Sequence, residues 1–142
     1  MAQTSTKFIA NQAVTAAKVT TNTLVMSTGI TIDGGGSVIT TGLKGFVMVP
    51  YACTINSVTM LADQSGSCVV DIWKANYASF PPTVANTITA SALPTISSAQ
   101  KSQDTTLTGW TTSVAAGDIL AFNVNSASVI TRVNLILKVT KT

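Results

Sequence analysis

Residues 129–141 read VITRVNLILKVTK. Val129, Thr131, Val133, Leu135, Leu137 and Val139 fall on one side of an extended chain. Arg132, Asn134, Lys138 and Thr140 fall on the other, with Ile130 and Ile136 the exceptions. Apolar residues that recur every second position over this length fit a half-buried strand and not a helix, in which they recur every third or fourth. A strand buried on one face belongs to an antiparallel sheet. Leu120, Phe122 and Val124 repeat the pattern one strand earlier.

The rest of the chain from residue 29 carries short β-prone runs divided by turn residues. Strands are predicted over 29–33, 37–41, 44–49, 53–61, 68–74, 87–89 and 119–124, ahead of the strand over 129–141. A register break between Ile55 and Val58 predicts a bulge. Gln64, Ser65, Gly66 and Ser67 read as a hairpin turn. Residues 76–86 and 93–104 read as long polar connections that let the chain cross between sheets. The prediction is an all-β fold, an antiparallel β-sandwich of jelly-roll type. Residues 29–142 form that single domain, and 1–28 read as an extended N-terminal arm. The arm has no Gly or Pro and spaces its apolar residues thinly, at Phe8, Ile9, Val14, Val19 and Leu24. These residues are candidate contacts to a sister subunit or a capsid; the plainer reading is a frayed terminus.

Composition narrows the function classes. Only 9% of residues are charged, and all five acids are Asp. There is no His, which removes His-based catalysis and His-ligated zinc. Thr (24) and Ser (14) instead dominate the polar residues and predict a neutral, hydroxyl-coated exterior. The net charge of +3 comes from eight scattered cations, not the clustered basic stripe that nucleic acid requires. No nucleic-acid partner is expected. No membrane association is expected either, because no apolar run approaches the length of a membrane span. Cys53 and Cys68 read as reduced, buried thiols; one intrachain disulfide is the alternative.

No catalytic constellation is visible, and neither an enzyme nor a cofactor is expected. Asp33 and Asp118 adjoin glycine turns, where carboxylates cap backbone N–H groups. Asp71 reads as a surface residue or a partner of a cation across the sheet. A glycosidase built on two Asp residues stays open, because separation in space is invisible in sequence. Gly34, Gly35 and Gly36 lack the Lys-Ser/Thr of a phosphate loop and read as a turn. Phe46 and Phe122 read as core. Trp73 and Trp110 either pack beside the core with the indole N–H on a loop carbonyl, or stand exposed to stack on a sugar or a protein. Tyr77 and Phe80 lie in a Pro-containing loop and are interface candidates, as is Trp110 on the second reading.

Residues 42–50 (GLKGFVMVP), 61–73 (LADQSGSCVVDIW), 80–84 (FPPTV) and 109–124 (GWTTSVAAGDILAFNV), with the terminal strand to Lys141, resemble a β-sandwich module of tailed-bacteriophage virion proteins. The resemblance covers roughly residues 42–142. Residues 8–18 (FIANQAVTAAK) are similar to the Asn-Ala-Val-Thr-x-x-Lys linker of phage fibre proteins. The resemblance implies an exposed place on a virion, a homotrimer, and no catalytic residues or cofactor. The module occurs both at fibre ends and in head-attached proteins. With only about 28 residues ahead of the sandwich, a trimeric capsid decoration or cement protein bound to the major capsid protein is expected. A receptor- or saccharide-binding tail-fibre module, with a host-surface glycan as partner, is the alternative.

Overall fold

The computed structural model describes residues 24–142. Seven antiparallel strands make one curled, sandwich-like sheet: β1 (Val25–Asp33), β2 (Gly42–Val49), β3 (Cys53–Ala75), β4 (Thr95–Asp104), β5 (Ser113–Val114), β6 (Asp118–Ser128) and β7 (Arg132–Lys141). The spatial order is β1-β7-β3-β6-β2, with β4 and β5 on the opposite side of β3. The predicted all-β class and antiparallel pairing are what the structure has.

β3 organises the molecule. Its 23 residues would reach roughly 75 Å if straight, about twice the diameter of a domain this size, so it has to bend. Its first half pairs with β7 (Cys53 opposite Lys141 through Ala62 opposite Val133). Its second half pairs with β6 (Ser67 opposite Ser128 through Ala75 opposite Ile119). β4 runs along the other edge and pairs with both halves. Residues 64–67 are therefore not a hairpin turn but the bend of a continuous strand. Gly66 is required there: a Cβ would lie 2.5 Å from the Ser128 carbonyl oxygen and 2.9 Å from Ile130 Cγ1. The bend curls the sheet until its ends meet, and a Cβ at Gly45 of β2 would sit 3.9 Å from Ile30 Cδ1 of β1.

The inward residues of the two halves form one core. From β7 come Val133, Leu135, Leu137 and Val139, the face that the alternation predicts. From β6 come Leu120, Phe122 and Val124. The bulge predicted between Ile55 and Val58 is present as a register shift between Ile55 and Ser57. Cys53 and Cys68 are free and buried, with no disulfide.

Other expectations need correction. Residues 93–104 are mostly strand β4, polar because an open edge tolerates and favours polar residues. Residues 37–41 are not a strand; the chain there is tied through Gly34 N–H to Thr131 O (2.7 Å) and Ile39 N–H to Ile130 O (3.0 Å). Residues 87–89 contribute a single bridge, Thr87 to Trp73. Residues 25–28, assigned to the arm, already pair with β7, so a truncation that spares the sheet must end before Val25. Phe8, Ile9, Val14 and Val19 lie outside the described residues; Leu24 is half-buried.

Candidate interaction surface

β6 has an unusual requirement. Asp118, Ile119, Leu120, Ala121 and Phe122 are all buried, so both faces of the strand are covered. The core covers one face, and the loop from Phe80, against Phe46 of β2, to Thr87, bridged to Trp73 of β3, crosses the other. Register places the rows on that outer face: Phe46 of β2, Ala121 of β6 and Trp73 of β3 lie side by side, and Met48, Ile119 and Ala75 form the next row.

The covering segment is anchored at Asp71. This carboxylate is only 5% exposed. It accepts hydrogen bonds from Trp73 Nε1 (2.7 Å), Thr87 Oγ1 (2.6 Å) and Thr89 Oγ1 (2.7 Å). Asp71 is thus neither a surface residue nor a partner of a cation; its charge is met by three donors. Ile88 N–H adds a bond to Ile72 O (2.9 Å). Local caps shape the rest of the segment. Asn76 Oδ1 accepts from Ser79 N–H (2.8 Å) and Asn86 Oδ1 from Thr83 N–H (2.9 Å), closing single turns at Tyr77–Ser79 and Val84–Asn86. The Phe80–Pro81 peptide is cis.

This arrangement sets Phe80 edge-on against Phe46, ring centroids 4.9 Å apart. Phe46, expected in the core, is 43% exposed. It stands beside the exposed Leu43 and Met48 of β2, and the loop exposes Tyr77, Phe80 and Val84. Tyr77, at 79%, is the most exposed of these. Sequence singles out Tyr77 and Phe80 but misses Leu43, Phe46, Met48 and Val84. β2 is apolar on both faces, so alternation cannot say which side points outward. Trp110 does not join the surface: it is buried, and its indole N–H bonds the Ala92 carbonyl (2.8 Å), the core-side reading of the two. Trp73 is half-buried and bonds a carboxylate rather than a carbonyl.

The remaining carboxylates hold structure together. Asp118 caps Ala115 N–H (2.9 Å), as its turn predicts, and lies 3.6 Å from Lys74 Nζ. Asp104 caps the N–H groups of Thr106 and Leu107. Asp33 caps Gly35 N–H (2.7 Å), as predicted, and accepts from Arg132 Nε (2.8 Å). Asp63 accepts from the Thr131 hydroxyl and from the backbone N–H groups of Thr131 and Arg132. Asp33 and Asp63 therefore meet at Arg132. The Arg132 hydrogen bond lowers the Asp33 pKa, and the Thr131 hydroxyl lowers that of Asp63. Both are held ionised, the opposite of what the general acid of a glycosidase needs.

Among the described residues no three His, Cys or Asp side chains gather as metal ligands, and no helix is long and apolar enough to cross a membrane. The depression of about 380 Å³ over β1 and β7 is lined by residues 27–31 and 134–136, none of them ionisable. Comparison with protein-family models, with curated proteins and with solved structures finds no match to this chain.

Proposed function

We propose that this chain is a structural protein of a bacteriophage virion: a trimeric capsid decoration or cement protein seated on the major capsid protein at the head surface. The observation that carries the proposal is the apolar surface of Leu43, Phe46, Met48, Tyr77, Phe80 and Val84, held on a rigid β-domain. Exposed apolar patches of this kind mark association sites. The resemblance of residues 42–142 to virion β-sandwich modules supplies the setting. The low charge suits it as well, because apolar and hydroxyl contacts are less sensitive to salt than ion pairs.

A second reading, a receptor- or saccharide-binding tail-fibre module, draws on Tyr77. Its ring is largely exposed and could stack on a sugar. Immunogold labelling of intact virions separates the two. Gold over the whole head is the expected result. Gold confined to the tail tip overturns the decoration reading and makes the Tyr77–Phe80 loop the receptor-site candidate.

A further inference from the structure

We infer that the partner fitted by the β2–loop surface is further copies of this chain, with the outer faces of β2 converging around the three-fold axis of the proposed trimer. The inference rests on the oligomeric reading above and names its contact. Three observations carry it.

The first is size. From their exposures and dimensions, the six side chains present roughly 700 Å², close to the ~800 Å² that each partner contributes to a specific interface. The second is charge. Among the described residues, no free charge points into the surface. Asp71, on the same face of the sheet, is buried under the loop and satisfied by three donors. Lys44, next to Leu43, is folded back, with Nζ on Thr40 Oγ1 (2.8 Å) and the Thr41 carbonyl (3.4 Å). Two identical surfaces can meet without repulsion, whereas a charged partner would find nothing to pair with. The third is the rim. The exposed Thr40 and Thr41 precede β2 in the chain, and the exposed Asn76 and Thr83 adjoin Tyr77 and Val84. Hydroxyl and amide groups both donate and accept, so identical rims can bond one another. An apolar centre inside a polar rim is the usual anatomy of an interface, and a patch of this kind placed at the axis meets its own copies in a closed ring.

The test is a charge swap in the full chain. Met48 is 52% exposed, so a charge there is tolerated in the monomer. M48D and M48K are made separately and run in sedimentation equilibrium, alone and mixed in equal amounts. Far-UV circular dichroism and the urea midpoint check that each variant is folded. The wild type is expected to associate. Each variant alone is expected to associate at least about tenfold more weakly, because like charges meet. The mixture is expected to regain association. As a second variant, Y77S/V84S alters only the outermost loop side chains and is expected to weaken association while the far-UV circular dichroism stays that of the wild type. A wild type that stays monomeric, variants that associate like the wild type, or a mixture that does not recover would each overturn the inference. Gold labelling of heads reads position in the virion and not this contact, so the two failures are distinguishable.

Discussion

Asp71→Ala tests whether the outer cover of β6 is tied down as described. The carboxylate accepts three hydrogen bonds, and bonds to a charged group contribute about 1.5–3 kcal/mol each. The full sum is not expected. Trp73 and Thr87 are not fully buried and can turn to water. Thr89 has no exposure, but its hydroxyl lies 3.1 Å from Thr87 Oγ1 and can donate there instead. Removing the carboxylate also relieves the cost of burying it. A net loss of about 2–4 kcal/mol remains, a large share of a domain's ~5–15 kcal/mol. Urea unfolding followed by Trp fluorescence measures it, with an unchanged m-value as the check on two-state behaviour. Thr89→Val supplies the second arm. It should cost about 1 kcal/mol in the wild type and clearly less in the Asp71→Ala background, where only the bond to Thr87 is left to lose. A loss below about 0.5 kcal/mol for Asp71→Ala, typical of a surface change, would refute the reasoning, as would strict additivity of the pair.

Two further predictions concern proton linkage and the thiols. Asp33 and Asp63 have folded-state pKa values below the ordinary 3.8, so their contribution is present above that value and is lost as pH falls beneath it. The urea midpoint should hold down to about pH 4 and decline below, and Arg132→Met should flatten the decline by removing the first cause at Asp33; an unchanged acid limb in that variant would contradict the assignment. Burial raises the Cys53 thiol and pushes Cys68 up to about 11, so the unfolded chain releases thiol protons first and stability should fall as pH rises above about 9. Ellman's reagent at pH 8 should find both thiols silent in the native protein and reactive in urea, and prompt native reaction at either would disprove their burial.

What the sequence makes legible depends on how local the cause is. The alternation of Val133, Leu135, Leu137 and Val139 is local, and it marks the core face of β7. The carboxylates of Asp33 and Asp118 act within three residues, and both caps are readable from the adjoining glycines. The bend of β3 is not readable. Gln64, Ser65, Gly66 and Ser67 have the composition of a turn, and only the pairing of β4 with both halves, and the close pass of Ser128, turn them into a bent strand. Asp71 fails for the same reason. Two of its three donors lie 16 and 18 residues away, so nothing near it in sequence announces burial. Phe46 and Phe80 meet across 34 positions, and neither residue alone says whether it faces the core or the solvent.

The apolar surface follows from the demand that β6 makes. A strand with Ile119, Leu120, Ala121 and Phe122 in succession needs cover on both sides. Residues 76–89 supply the outer cover over Trp73 and Ala121, but at the sheet edge they reach only as far as the contact of Phe80 with Phe46. Beyond it Leu43 and Met48 stay uncovered. On the proposed contact, copies laid against β2 would complete in the assembly the layer that the loop leaves unfinished in the single chain. Fold and interface then share one mechanical element. The Asp71 anchor holds the loop, the loop places Phe80, and Phe80 with Phe46 forms the centre of the surface that the proposed contact would use. Association would in turn hold the loop down, because a partner that binds only the closed form stabilises it by mass action.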